Sequence, residues 1–121
     1  MSQPLALILE DDPKLAELYE TVLRQCHYEP RIIESGRDAQ KSLETLSPAL
    51  ILLDIHLPYV SGMDLLKQIQ SDARFKKTTT IVMTADLYTA KDLDGKVEHV
   101  LLKTHGIARL RDIATRINPD Q

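Results

Sequence analysis

The feature that most restricts the fold of this 121-residue chain is a repeated alternation of short apolar runs and longer segments with helical spacing. The apolar runs have strand length and lack polar alternation, which favours strands that are buried on both faces of a sheet. The order βαβαβαβαβα predicts an α/β fold with a parallel sheet covered by helices. The predicted strands span residues 5–9, 29–35, 49–54, 79–86 and 97–103.

The segments that follow these runs are predicted to be helices. The first begins at Pro13, a residue suited to a first helical turn, and its apolar residues from Leu15 to Leu23 recur at helical spacing. The fourth, residues 87–95, has room for only a turn or two, so we expect a shortened or irregular fourth helix. The other predicted helices span residues 36–48, 63–75 and 106–117.

Composition limits the classes of function that need consideration. The chain has the length of one domain, 1–121, and its 43% hydrophobic residues suffice for a packed core. The net charge of −3 gives no reason to expect direct nucleic-acid binding, and the lone Cys26 excludes an internal disulfide. No leader peptide or membrane-length apolar run is present, so we expect a cytoplasmic domain without membrane contact.

Polar and charged side chains gather where the predicted strands end. Asp11 and Asp12 follow the first strand, Asp54 ends the third, Thr84 lies near the end of the fourth, and Lys103 ends the fifth. Ligands of open parallel sheets bind at these carboxyl ends, and clustered carboxylates suit Mg²⁺. Asp54 is a carboxylate nucleophile suited to accept a phosphoryl group, whose oxygens the metal, Thr84 and Lys103 would bind. A helix cap, a solvated loop acid and a surface lysine are the simpler readings, but none explains the whole set.

This set of residues resembles, over essentially the full chain, the receiver domain of two-component response regulators. The resemblance implies a flavodoxin-like (βα)5 fold, a doubly wound five-stranded parallel sheet with strand order 2-1-3-4-5. It also implies a histidine kinase or histidine phosphotransfer domain as phosphoryl donor, a possible homodimer, and no enzymatic activity beyond gain and loss of the phosphoryl group. The resemblance rests on Asp11-Asp12, Asp54, Leu57-Pro58, Gly62, Thr84-Ala85 and Lys103.

The resemblance also implies a role for each site residue. Asp54 would be the phosphoacceptor, and Thr84 and Lys103 would contact the phosphoryl group. Asp11, Asp12 and Asp54 would surround Mg²⁺, with the backbone carbonyl of His56 as a further ligand.

Two positions at the mouth of the site are expected to influence how fast the phosphoryl group is lost to water. They are occupied by His56 and Asp86. A contact between these side chains, or a shared role in orienting the attacking water, is one interpretation. The other interpretation is that both residues are solvated and lie at the rim of the site without a shared role.

Several residues depart from the pattern of the family. Val100 stands three residues before the lysine, where the family carries a switch aromatic, so the usual coupling to threonine is not expected. Tyr88, just after the fourth strand, is a candidate substitute for this aromatic. Thr104 replaces a proline that forms a cis peptide bond, and Ser61 stands where an aspartate is common.

These observations leave three hypotheses of function. The leading one is a phosphorylatable receiver with atypical output coupling, either stand-alone or excised from a longer regulator. The second is a receiver-like interaction module that acts independently of phosphorylation, which Val100 and Thr104 favour. The third, a small Mg²⁺-dependent phosphatase, is disfavoured because position 56 carries histidine instead of a second acid.

Overall fold

The computed structural model describes residues 3–103 and 106–120. It contains five strands that alternate with five α-helices and one short 3₁₀ helix. The strands are β1 (Leu5–Leu9), β2 (Glu29–Ile33), β3 (Leu50–Asp54), β4 (Thr79–Thr84) and β5 (His99–Leu102). The helices are α1 (Pro13–Gln25), α2 (Gly36–Thr45), α3 (Gly62–Ser71), the 3₁₀ helix (Ala73–Phe75), α4 (Leu87–Leu93) and α5 (Ile107–Ile117).

All strand pairs are parallel, and the strand order is β2-β1-β3-β4-β5. The predicted flavodoxin-like, doubly wound sheet is therefore confirmed. The ladder continues just beyond two strands, because the Glu10 amide donates to the Ile33 carbonyl and the Lys103 amide donates to the Thr84 carbonyl. These bonds fix the backbone of Glu10 and Lys103 at the carboxyl edge of the sheet.

The two faces of the sheet bury separate apolar clusters. Because side chains alternate along a strand, residues of even number in β1 and β3 face one cluster and those of odd number face the other. The first cluster packs against α1 and α5, and the second packs against α2, α3 and Leu93 of α4. The first includes Ile8, Leu52, Met83 and Leu101, whereas the second includes Leu9, Leu53 and Val82.

Local sequence signals explain where several helices begin and end. Asp12 caps α1 by accepting hydrogen bonds from the amides of Lys14 and Leu15, and Pro13 occupies the first turn. The predicted helix over residues 63–75 is interrupted at Asp72, which has extended backbone angles and caps the following 3₁₀ turn. The capping carboxylate of Asp72 therefore ends one helix and starts another.

The fourth helix is short, as the sequence predicts. It has seven residues, whereas the other α-helices have between ten and thirteen. Asp86 caps its start, and Gly95 lies just after its end with a φ of +83°, a left-handed conformation that glycine adopts without strain.

Gly62 holds the loop after β3 close to the sheet. A Cβ atom at this position would lie 2.2 Å from the carbonyl oxygen of Ile55, so no larger residue fits without moving the backbone. The loop that follows Asp54 is thereby fixed against the strand end. Among the described residues, no helix is long and apolar enough to span a membrane.

Candidate functional site

The side chains of Glu10, Asp54 and Lys103 meet at the carboxyl edge of the sheet. Asp54 is the last residue of β3, and the other two directly follow β1 and β5. Because side chains alternate along a strand, all three lie on the face of the sheet that packs against α1 and α5. Glu10 and Asp54 are each only 2% exposed, although both are carboxylates. Buried charges are costly unless they are paired, so the contacts of these two carboxylates decide what the site can do.

Lys103 supplies the positive charge that both carboxylates face. Its Nζ lies 2.9 Å from Asp54 Oδ2 and 3.0 Å from Glu10 Oε1. It also donates a hydrogen bond of 3.3 Å to Glu10 Oε2. Burial lowers the pKa of Lys103, but the hydrogen bonds to Asp54 and Glu10 outweigh that effect and raise it, so the ammonium stays charged at neutral pH.

Asp54 is held in its ionised form. Burial acts to raise its pKa, but the backbone amide of His56 and the Nζ of Lys103 together hold the pKa below its usual value. Each of these donors lies 2.9 Å from one carboxylate oxygen, His56 N from Oδ1 and Lys103 Nζ from Oδ2. Asp54 is therefore a carboxylate whose two oxygens are both oriented.

Glu10 differs from Asp54 in its protonation. Burial, the largest effect, raises its pKa from 4.5 to about 7, although the Asp12 amide and Lys103 act in the opposite direction. Its Oε2 accepts from the Asp12 amide at 3.1 Å. Its Oε1 is buried and has no aligned hydrogen bond within residues 3–103 and 106–120, even though Lys103 Nζ is close enough to form an ion pair. The two buried carboxylates thus share one cation, and Glu10 is the one that takes up a proton more easily.

Carboxylate oxygens of Glu10, Asp11 and Asp54 lie within 4.8 Å of one another, so these three residues could hold a metal ion. The donor set fits Mg²⁺, because it consists of hard oxygen ligands. The buried Glu10 Oε1, which has no aligned hydrogen bond, also fits a cation better than it fits a closed network. An Mg²⁺ ion at this position would be held by two buried carboxylates and by the exposed Asp11.

The carboxylate cluster contains Glu10 where the expected metal set contains Asp12. Asp12 lies outside this carboxylate group, because its side chain is engaged in capping α1. Glu10, the residue that sequence reasoning left out of the set, lies inside it. Two signals in the sequence point to Glu10: it directly continues β1, and Asp12 directly precedes Pro13, where a cap is expected.

Thr84 and Asp86 connect the edge of the site to the fourth helix. Thr84 is fully buried at the end of β4, and its Oγ1 accepts a hydrogen bond of 3.0 Å from the amide of Asp86. The Asp86 carboxylate accepts from the Tyr88 amide and from the Thr89 hydroxyl, at 2.9 and 2.8 Å. These bonds lower the pKa of Asp86, the Thr89 hydroxyl having the largest effect.

The two proposed modulating residues do not bond to each other. The side chain of Asp86 caps α4, and no hydrogen bond joins it to the exposed His56 in the part of the chain that the structure describes. The charge of His56 is nevertheless close enough to contribute to the lowered pKa of Asp86, as the smallest of the causes. A direct bond between the two side chains is therefore not observed among the described residues, and a shared role in orienting the attacking water stays a prediction.

The residues that depart from the family pattern occupy different environments. Val100 is partly buried and packs on the cluster that contains Leu93, whereas the side chain of Tyr88 is 83% exposed. Ser61 caps α3 by accepting from the Met63 amide. Thr104 lies outside the described residues. The expectation that threonine in place of proline removes the cis peptide bond after Lys103 therefore stays a prediction.

A doubly wound α/β sheet with carboxylates after β1 and β3, a threonine at the end of β4 and a lysine after β5 defines a domain of the receiver class. Comparison with known proteins agrees with this assignment. The family model of the response regulator receiver domain matches residues 6–115, and the chain belongs to this family.

Curated relatives include transcriptional regulators. The transcriptional regulatory protein BaeR of Escherichia coli is 30% identical over 125 aligned residues, which cover 98% of this chain and 51% of that protein. The DNA-binding response regulator MtrA of Mycolicibacterium smegmatis is 36% identical over 67 residues, 55% of this chain and 29% of that protein. The chain thus spans about half the length, or less, of these relatives.

Solved receiver domains share the fold closely. The signal receiver domain of a LuxO repressor protein from Vibrio parahaemolyticus is 32% identical with a TM-score of 0.81, over 95% of this chain and 89% of that one. A CheY-like receiver domain from Methylobacillus flagellatus is 26% identical with a TM-score of 0.83, over 97% of this chain and all of that one.

Proposed function

We propose that this receiver domain accepts a phosphoryl group on Asp54 in a Mg²⁺-dependent reaction. The observation that carries the proposal is the state of Asp54. It is a buried, ionised carboxylate that lies beside a lysine and within a cluster of acids suited to a cation. The donor would be a phosphohistidine of a kinase or of a histidine phosphotransfer domain. Membership of the receiver family supports both assignments.

The transfer needs no general base, because Asp54 is already ionised. One Asp54 carboxylate oxygen forms the new bond to phosphorus as the bond between phosphorus and the donor imidazole nitrogen breaks. The bonding electron pair stays on that nitrogen, which takes up a proton. The hydrogen bond from the His56 amide to Oδ1 orients the carboxylate during the attack.

Charge on the phosphoryl oxygens would be balanced from more than one side. Glu10, Asp11 and Asp54 would hold Mg²⁺ together with the backbone carbonyl of His56, and the ion would supply positive charge at those oxygens. Lys103 would turn from Asp54 to a phosphoryl oxygen. Thr84 accepts a hydrogen bond from the Asp86 amide and keeps its own hydroxyl proton for a bond to the phosphoryl group.

We further propose that output passes through the start of α4. Phosphorylation adds about two negative charges at the site, which attract the Thr84 hydroxyl. Because the Asp86 amide bonds to Thr84 Oγ1, movement of this hydroxyl would displace the residue that caps the seven-residue α4. Val100 leaves no aromatic ring to follow the movement, so the response would concentrate in α4 and differ from a ring-based switch.

The partners of this domain stay proposals as well. A histidine kinase or phosphotransfer domain would dock at the carboxyl edge of the sheet, and dimerisation of two receivers is a second possibility. BaeR is named as a transcriptional regulatory protein and MtrA as a DNA-binding response regulator, and both are about two to three times as long as the aligned segment. We propose that this domain makes no direct contact with nucleic acid and that any such output lies in another domain or partner.

A direct test is phosphorylation by acetyl phosphate, followed by intact-mass measurement. The wild type should gain one phosphoryl group in MgCl₂ and none in EDTA. The variant Asp54→Asn keeps the size of the side chain and should gain none. An adduct of equal yield in the variant would place the modification elsewhere and would refute the assignment.

The second candidate is an interaction module that acts independently of phosphorylation. The observations in its favour are Val100 in place of an aromatic ring and the shortened α4. Absence of any adduct in wild-type protein, with no change in its NMR spectrum on addition of beryllofluoride and Mg²⁺, would favour this candidate over the first.

A further inference from the structure

Two buried polar side-chain atoms have no hydrogen-bond partner in the described part of the chain. They are Glu10 Oε1 and the hydroxyl oxygen of Tyr19. The first belongs to the site described above, whereas no step of the proposed reaction uses the second. Tyr19 is only 1% exposed, so solvent does not satisfy its hydroxyl. Burying a hydroxyl without a partner is unfavourable, and a phenylalanine would fill the same apolar space without that cost.

Tyr19 lies on the face of the sheet from which the site residues project. It packs in the cluster under α1 and α5, and this cluster contains the strand residues two positions before each site residue. Side chains two positions apart in a strand share a face, so Tyr19 and the site share one side of the sheet. The three pairs are Ile8 and Glu10, Leu52 and Asp54, and Leu101 and Lys103.

The position of Tyr19 along α1 brings it toward the carboxyl edge. It belongs to the second turn of the helix, which begins at Pro13 directly after the acidic residues. Among nearby charges, that of Glu10 acts most strongly on the Tyr19 hydroxyl, followed by Lys103 and Asp54. Burial and these charges raise the pKa of Tyr19 to about 12, so the hydroxyl keeps its proton at neutral pH.

We propose that Tyr19 is a positioning residue of the metal site and that its hydroxyl donates a hydrogen bond to the Glu10 carboxylate when Mg²⁺ is bound, directly or through one buried water. The proposal rests on the function proposed above. Lys103 pairs with both Glu10 and Asp54 in the present conformation, and a cation bound to the same carboxylates would repel its ammonium from Glu10. A neutral donor on the same face of the sheet would then keep the Glu10 carboxylate oriented toward the metal.

The test compares two buried tyrosines that differ in hydrogen bonding and in distance from the site. Tyr19→Phe removes a hydroxyl that has no partner, whereas Tyr28→Phe removes a hydroxyl that donates to the Ala114 carbonyl at 2.8 Å. Tyr28 lies directly before β2, at the opposite end of the sheet from the site. Both residues are fully buried, so Tyr28→Phe controls for the loss of a buried tyrosine hydroxyl as such.

The primary measurement is the dissociation constant for Mg²⁺. It is obtained by titrating the ¹⁵N-labelled chain with MgCl₂, without a phosphodonor, and following the amide chemical shifts by NMR. Tyr19→Phe should weaken Mg²⁺ binding about tenfold, the effect expected for loss of one hydrogen bond to a charged group. Tyr28→Phe should leave the constant unchanged. In phosphorylation by acetyl phosphate, Tyr19→Phe should raise the Mg²⁺ concentration at half-maximal rate by the same factor, with an unchanged rate at saturating Mg²⁺.

Equal Mg²⁺ affinity of wild type and Tyr19→Phe would overturn the positioning role while leaving the proposed function intact. A parallel loss of thermal stability and of the saturating rate in Tyr19→Phe would also overturn it, because it would show a packing role. If wild-type protein neither binds Mg²⁺ nor accepts a phosphoryl group, the proposed function fails, and the role of Tyr19 fails with it.

Discussion

Replacing Glu10 by glutamine should stabilise the metal-free fold at alkaline pH, although it removes a site residue. Burial raises the pKa of Glu10 from 4.5 to about 7. An acid with a raised pKa in the folded state gives up its proton more readily in the unfolded chain, so deprotonation favours unfolding. The loss of folding stability caused by ionisation of Glu10 is absent below pH 4.5. It grows as the pH rises to 7 and is constant above that. Glutamine never ionises and avoids it.

The magnitude follows from the two pKa values. Each pH unit between them is worth about 1.4 kcal/mol, so the change from 4.5 to about 7 corresponds to roughly 3 kcal/mol above pH 7. Glu10 is only 2% exposed, so solvent screening takes little from this figure. For a domain of this size, the gain at pH 8 corresponds to an increase in melting temperature of roughly 10 °C.

The assay is urea unfolding in EDTA, followed by circular dichroism because the chain has no tryptophan, at several pH values from 4.5 to 8.5. The matched control is Asp54→Asn, for which the opposite sign is expected. The lowered pKa of Asp54 means that its ionised form stabilises the fold at neutral pH and loses this effect as the pH falls. Addition of Mg²⁺ should stabilise the wild type more than Glu10→Gln. If Glu10→Gln is no more stable than the wild type at pH 8, or if the difference does not change with pH, the reasoning is refuted.

Three further substitutions test the assignments around the site. Asp12→Ala should cost about 1 kcal/mol in urea unfolding through loss of the α1 cap, with Mg²⁺ affinity nearly unchanged; a large loss of affinity would return Asp12 to the metal set. Gly62→Ala should cost roughly 2 kcal/mol or more, because the new Cβ would overlap the Ile55 carbonyl, and an unchanged midpoint would contradict that close approach. Lys103→Met should slow phosphorylation by acetyl phosphate about a hundredfold or more while Mg²⁺ still binds, as expected when a transition-state cation is lost. A rate near that of the wild type would remove Lys103 from the reaction.

The architecture could be predicted from the sequence because the strands of a covered parallel sheet are apolar on both faces. Runs such as residues 5–9 and 49–54 therefore stand out from the amphipathic segments between them. The short α4 was also predictable, since Gly95 leaves little room for a longer helix. The break at Asp72 was not, because an aspartate is acceptable within a helix and only its capping bonds show that it ends one.

The location of the candidate site was predictable from the ends of the strands, but the choice among its acids was not. Asp54, Thr84 and Lys103 were placed by the ends of their strands. Three consecutive acids follow β1, however, and charge alone does not tell which of them face the site. In the structure, the side chain of Glu10 lies on the same face of the sheet as that of Ile8, two residues earlier. The side chain of Asp12 caps the start of α1 instead. The unpartnered Tyr19 hydroxyl has no sequence signal, because a tyrosine at helical spacing reads as an ordinary core residue.

The charges of the site connect its stability to its proposed function. A single ammonium faces two buried carboxylates, and the raised pKa of Glu10, caused above all by burial, reflects the cost of ionising this carboxyl in the metal-free site. A bound cation removes that cost, and the relief contributes to its affinity. The same cation would repel the Lys103 ammonium from Glu10, which then needs another donor to stay oriented. Among the described residues, the Tyr19 hydroxyl is a buried donor without a partner on the same face of the sheet, so the metal affinity of Tyr19→Phe tests whether this hydroxyl holds Glu10 in place when the cation binds.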